Sequence, residues 1–242
     1  VTPFIDMDRE DHPVIFCTPG RGKETVRKFK AFLKNHQGKS ENIIEVVCDM
    51  SPAFLSGVDR EFPFAAVTVD WFHAVQHFTN AVDTVRRLEA KKEQLPKGTR
   101  WAILRGDTRR TASQKAALEE LMDRGLHTAR AFLIKEKMRW VREADSKSAA
   151  RWRITHFLNF TRGLLSSNTP VLQPMFDALR TFENHMERII ARWDSCLTNA
   201  RMEGMNGLFQ AARARARGYR NEATFITMIY LIGAPISKLL WP

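Results

Sequence analysis

A change of hydrophobic period near residue 80 constrains this chain more than any other feature. Before it, apolar residues fall in short runs of strand length; after it, they recur at helical spacing almost to Trp193. Val1 to Met7 and Val14 to Thr18 flank the polar turn at 8–13, the pattern of an antiparallel hairpin. Pro19-Gly20-Arg21-Gly22 breaks the second strand, and Glu24 to Asn35 carries Val26, Phe29, Phe32 and Leu33 on one helical face. Ile43 to Cys48 predicts a buried strand that ends at Asp49. Ser51-Pro52 predicts an N-cap with proline at the first helical position, and Pro63 limits that helix. Ala65 to Val69 is the next strand, ending at Asp70, and a helix begins near Trp71 through His73, Val75, Phe78, Val82 and Val85.

The helical text has its own punctuation. Val82 to Leu95 is amphipathic, and Thr111-x-x-Gln114 has the form of a capping box ahead of Ala117, Leu118, Leu121 and Met122. Ala129 to Val141 and Ala149 to Leu165 follow. Met175, Leu179, Phe182, Met186, Ile189 and Trp193 then alternate at four and three, the seam of a helical hairpin or bundle. Segments 95–99 and 163–174 read as hinges. The expected organisation is an α/β unit over 1–80, an all-helical subdomain over 81–193, and a return over 194–242 with one polar and one apolar helix. A chain of 242 residues, 44% of them hydrophobic, can bury one substantial core or a core with an appended subdomain.

Composition narrows the partner. Lys plus Arg number 38 against 27 Asp plus Glu, a formal net charge of +11, which favours a polyanion such as nucleic acid. The three cysteines, Cys17, Cys48 and Cys196, are widely spaced and odd in number, so neither a disulfide framework nor a zinc knuckle is written here, and a reducing, cytoplasmic setting is expected. The apolar stretch from Phe225 to Leu240 is cut by Gly233 and Pro235 and contains Lys238, too short and broken to span a bilayer. No signal peptide heads the chain, and Val1 in place of Met reads as the start of a fragment.

Two features carry chemistry. The strands ending at Asp49 and Asp70 each deliver a carboxylate at the sheet edge where open α/β sheets place ligands. Asp70 fits an N-cap equally well, whereas Ser51 is the better-placed cap beside Asp49. Further on, Glu203, Asn206, Gln210, Arg213 and Arg217 fall on one stripe if 198–217 is helical, an acid at the head of a basic row. Such polarity suits a site that holds a divalent cation and tracks a phosphate backbone; the plain alternative is a solvated helix face. Hard cations take carboxylate oxygens, which Asp49 and Glu203 could supply. Alternation with Ala turns Arg215 away from the stripe.

These residues resemble a known family. Val46-Val47-Cys48-Asp49-Met50-Ser51-Pro52-Ala53-Phe54, Val69-Asp70-Trp71-Phe72-His73-Ala74-Val75, Thr198-Asn199 with Glu203-Gly204-x-Asn206, and Arg217-Gly218-Tyr219-Arg220-Asn221 are together similar to the ISL-three group of DDE-type insertion-sequence transposases. The resemblance implies an α/β, ribonuclease-H-like mixed sheet interrupted by a large helical insertion. It also implies metal-dependent cleavage of DNA and joining of a transposon end to target DNA, with Mg²⁺ or Mn²⁺ as cofactor. The second catalytic aspartate of the family falls on Asp49 and the catalytic glutamate on Glu203, both metal ligands. Asp70 and His73 match a supporting Asp-x-x-His pair, and Asn206 follows the glutamate. His73 also fits a core histidine that hydrogen-bonds locally.

Two departures qualify the match. The family's first catalytic aspartate lies on an opening strand, and this sequence starts on the second, so the chain taken alone is expected to be inactive. Asp6 and Asp8 read as turn residues on the opposite edge. Where the family is lysine-rich after the glutamate, this chain has arginines, and Arg213, Arg217 and Arg220 are the expected DNA contacts. Expected partners are transposon-end and target DNA, with self-association on DNA, no membrane, and a bacterial, nucleoid-associated location. The alternatives are a non-catalytic DNA-binding or scaffolding remnant, and a nuclease or RNA-binding protein of the same fold.

Overall fold

A computed structural model describes residues 1–165, 169–195 and 200–234. The chain divides into two compact units, Val1–Thr68 with Leu197–Pro242, and Val69–Cys196. Cys196, the Thr198-Asn199 motif and the apolar tail beyond Ala234 lie outside the described residues.

In the first unit, strands β1 (Thr2–Ile5) and β2 (Val14–Thr18) form the expected antiparallel hairpin, with an irregularity between Phe4 and Ile5. The Asp6 backbone N–H donates to the Pro13 carbonyl at 2.8 Å, and the Asp6 carboxylate accepts the Asp8 N–H at 3.0 Å. Both aspartates therefore serve the turn. Strands β3 (Glu45–Cys48) and β4 (Ala66–Val69) pair with each other, and the Thr68 hydroxyl donates to the Glu45 carboxylate. Among the described residues the strand content is thus two short pairs, β1-β2 and β3-β4, where one mixed sheet was expected. With four or five residues each, the strands make few ladder bonds, and helices supply most of the burial.

The β1-β2 hairpin has two apolar clusters. Phe4 and Phe16 pack with Val26 and Phe29 of α1 (Lys23–Asn35) and Val58 of α2 (Pro52–Glu61); the Phe4 and Phe29 rings stack at 4.5 Å, and Phe16 and Phe32 at 4.8 Å. Gly57 lets α2 approach α1, because a Cβ there would stand 2.8 Å from the Lys23 Cα. Val14 and Cys17 belong to the second cluster, with Phe209 and Ile229. Burial pushes the Cys17 thiol up to about 11, which leaves it a packing residue rather than a nucleophile.

Beyond Val69, the described elements of the second unit are all helices. Its axis is α3 (Trp71–Glu89), a single helix that absorbs two expected segments and packs against α6 (His127–Arg142) and α8 (Gln173–Asn184). Between them run α4 (Thr99–Leu104) and α5 (Ala112–Asp123), and α7 (Lys147–Leu164) lies against α6. Both halves of the Thr111/Gln114 capping box form. Phe78, Phe157 and Phe182 meet edge to face with centroids 5.5 to 5.8 Å apart, the preferred geometry for buried rings.

Two buried charges organise this unit. Glu89, 3% exposed, accepts the backbone N–H of His127 at 2.7 Å and of Thr128 at 2.8 Å. It thereby caps α6, whose own N-cap, Leu126, has no side-chain acceptor to offer. Arg110 donates to the carbonyls of Ala102 and Arg105 at the end of α4, at 2.7 and 2.8 Å, and lies over the Phe132 ring. Cations at helix carboxyl ends satisfy orphan carbonyls in this way.

The seam from Met175 to Trp193 is interrupted. Met175, Leu179, Phe182 and Ile189 are buried as the spacing requires, but the helix breaks at His185 and Ala191 into α8, α9 (Met186–Ile190) and α10 (Arg192–Ser195). The breaks let Ile189 and Ile190, adjacent in sequence, both reach the core, and let the Trp193 indole donate to the Ala144 carbonyl at 2.9 Å. No helix among the described residues is long and apolar enough to cross a membrane.

Candidate functional site

Glu203 lies in the first turn of α11 (Ala200–Arg215) and is half-buried. The segment is helical because it is rich in Ala, Met and Arg and free of Pro; it is held by one fully buried residue, Phe209, which packs with Ile229 of α12 (Glu222–Gly233). Arg201 fixes the start of the helix by donating to the carbonyls of Met7 and Glu10, at 3.3 and 2.8 Å. Asn206, Gln210 and Arg213 are all exposed, so the stripe beyond Glu203 stands in solvent.

The stripe is shorter than its spacing predicts. Gly218 N–H donates to the Arg213 carbonyl at 2.8 Å and Arg217 N–H to that of Ala214 at 3.0 Å, the paired bonds that close a helix. Arg217 has a φ of 53°, the left-handed conformation usually given to glycine at this point. Its side chain therefore does not continue the row from Glu203 to Arg213. Arg220 lies in the connection to α12, which Asn221 caps by accepting the Thr224 N–H at 2.8 Å. The Arg213 guanidinium sits 5.8 Å from the Phe225 ring centroid, and Arg213, Arg217 and Arg220 are exposed.

Asp49 follows β3 and is exposed, its carboxylate accepting the Ser51 N–H at 2.9 Å. Ser51 takes the N-cap position of α2, with Pro52 after it, yet its hydroxyl makes no capping bond. The carboxylate of Asp49 therefore supports the turn into α2, while Ser51 holds the N-cap position by its backbone alone.

Asp70 and His73 belong to the second unit, one turn apart at the start of α3. Asp70 is buried and caps the helix, its Oδ1 accepting the Phe72 N–H at 3.4 Å. His73 is half-buried, with its ring edge-on to Phe72 at 5.9 Å. Spacing of i and i+3 puts carboxylate and imidazole on one helical face. Capping at this long distance leaves the carboxylate's second oxygen for other work, so the cap and ligand readings of Asp70 are compatible.

A family model of transposases, the ISL-three group of the DDE type, matches residues 1–229. The chain is 24% identical over 235 residues to the transposase for insertion sequence element IS1001 of Bordetella parapertussis, an alignment that covers 93% of this chain and 55% of that relative. The chain thus spans about half the length of the curated relative it matches. No solved structure matches it.

Proposed function

Because this chain belongs to the ISL-three group of DDE-type transposases, we propose that it supplies the metal-dependent chemistry by which a transposon end is cut and joined to target DNA. The observation that carries the reading is the family match over residues 1–229, with carboxylates at its motif positions: Asp49 after β3 and Glu203 in the first turn of α11. Carboxylates such as these suit a hard divalent cation, Mg²⁺ or Mn²⁺. Such an ion stabilises charge on the attacking and leaving oxygens of an in-line displacement. The chain's own part is to offer the ligands: Asp49 is fixed by the bond it accepts from the Ser51 N–H, and Glu203 by the anchored start of α11.

Asp49 and Glu203 are the proposed pair of catalytic carboxylates, with Asp70, His73 and Asn206 in support. Transposon-end and target DNA are the proposed partners, with self-association on DNA. Manganese titration of the protein, followed by the loss of free Mn²⁺ signal in electron paramagnetic resonance, tests the ligand set. Binding should weaken at least about tenfold in Asp49→Asn, because a carboxylate ligand is lost while the side-chain volume is kept. Wild-type affinity in that variant, or no binding at all, would overturn the assignment.

A DNA-binding remnant without chemistry is the second reading, favoured by the exposed arginines of α11 and its connection to α12. Both readings share one expectation. Arg213→Ala with Arg217→Ala should weaken binding to all sequences alike and reduce the slope of log K against log salt by about 2. An unchanged slope would reassign these arginines to a solvated surface.

A further inference from the structure

In the second unit, α6 and α7 present a row of rings and cations to solvent. On α6, Lys137 and Trp140 share a face; on α7, Trp152, His156 and Phe160 succeed one another every fourth residue. Trp152 is 56% exposed and Phe160 38%. The Trp140 and Trp152 rings are 5.7 Å apart, and Trp152 and His156 are 4.0 Å apart. The Lys137 ammonium lies 4.2 Å from the Trp140 centroid and 5.8 Å from that of Phe160. Arg153 covers Trp140 at 5.4 Å while donating to its carbonyl at 2.7 Å.

A strip of this kind is costly if it has only water to face. An indole more than half exposed forgoes most of the free energy that its burial would provide, and solubility alone would be met by polar residues. Rings held in fixed orientation by cations form a stacking platform, and the same cations attract phosphates. Lys137 has no ion-pair partner among the described residues, so its charge remains available to an anion. The complementary ligand is flat, apolar on its faces and anionic along its edge.

We infer that the α6-α7 face binds an unpaired DNA strand, with bases stacked on Trp152 and its neighbours and phosphates beside Lys137 and Arg153. Duplex DNA hides its base faces and would meet only the cations. The choice of DNA rests on the transposase reading, but the binding needs no metal. A strand of this kind arises wherever an end is nicked, frayed or displaced, and the strip would hold it apart from its complement.

The experiment is fluorescence anisotropy of labelled oligothymidylate, in excess EDTA, with a duplex of equal length as reference. Trp152→Ala should weaken single-strand binding about tenfold, the scale of one lost base stack, and change duplex binding little. Trp152→Phe should restore most of the loss. Photo-cross-linking of 5-iodouracil oligonucleotide should map to α6 or α7. Equal affinity in wild type and Trp152→Ala, or cross-links confined elsewhere, would overturn the inference. So would a change of oligomeric state in Trp152→Ala without loss of single-strand affinity, which would make the strip a contact between copies. Omission of metal keeps this outcome separate from the manganese titration, which can fail without it.

Discussion

Glu203→Gln should lower strand transfer by the full-length protein at least about a thousandfold while leaving its affinity for DNA intact. The substitution removes a negative charge and the oxygen proposed to coordinate the cation, but almost no volume. A bound divalent cation contributes several kcal/mol to the stabilisation of a phosphoryl transition state, and about 1.4 kcal/mol corresponds to each factor of ten in rate. Loss of one ligand from a small set thus costs orders of magnitude in rate and nothing in phosphate attraction. The two assays are strand transfer with a pre-cleaved transposon end in Mn²⁺, and binding of the same DNA in EDTA. Survival of activity would remove Glu203 from the chemistry. Parallel loss of DNA binding would point instead to a disturbed α11.

The largest expected effect on stability lies at Glu89. Glu89→Ala should destabilise the second unit by about 4 kcal/mol, because two N–H groups at the start of α6 lose a charged acceptor inside the protein. That corresponds to a fall in melting temperature of about 15 °C for a unit of this size. Glu89→Gln keeps the shape but turns an NH₂ toward one of the two donors, so about half the loss should remain. Removing the exposed partner in the Arg151–Glu187 pair should change melting little, since both side chains are largely in solvent. Calorimetric melting of the three variants distinguishes these cases. A Glu89→Ala protein that melts with the wild type would mean that water replaces the carboxylate at the helix start.

Local chemistry in the text was legible wherever its partner lay close by. The hairpin at 2–18, the Ser51-Pro52 start of α2, the end of that helix before Pro63 and the Thr111/Gln114 box each depend on residues a few positions apart. Glu89 was invisible because its partners stand 38 and 39 residues away, and a lone glutamate at the end of an amphipathic helix reads as surface. The breaks at His185 and Ala191 escaped for another reason: apolar spacing continues through them, and neither is Gly or Pro. Arg217 was placed on the helix because periodicity does not show where a ladder closes, and its left-handed turn is normally announced by glycine at that very position; here Gly218 comes one residue late.

The candidate site residues were drawn from motif more than from period. Asp49, Asp70, His73 and Glu203 stood out because each follows a strand or opens a helix, and because their neighbours matched a family pattern. The alternation of helical faces gave no warning of the ring-and-cation strip on α6 and α7, although Trp152, His156 and Phe160 at every fourth position was the signal that could have found it.

Arg201 ties the beginning of α11 to the turn of the first hairpin, across 191 and 194 positions of sequence. During synthesis, the hairpin emerges from the ribosome long before the guanidinium that straps it, and Phe209 and Ile229 arrive later still to cover Val14 and Cys17. The helices between Trp71 and Ser195 form a continuous stretch that can condense in the meantime. The carboxylate at Glu203 therefore takes its place only after the helices of the second unit have had time to condense, and it depends on residues made later still.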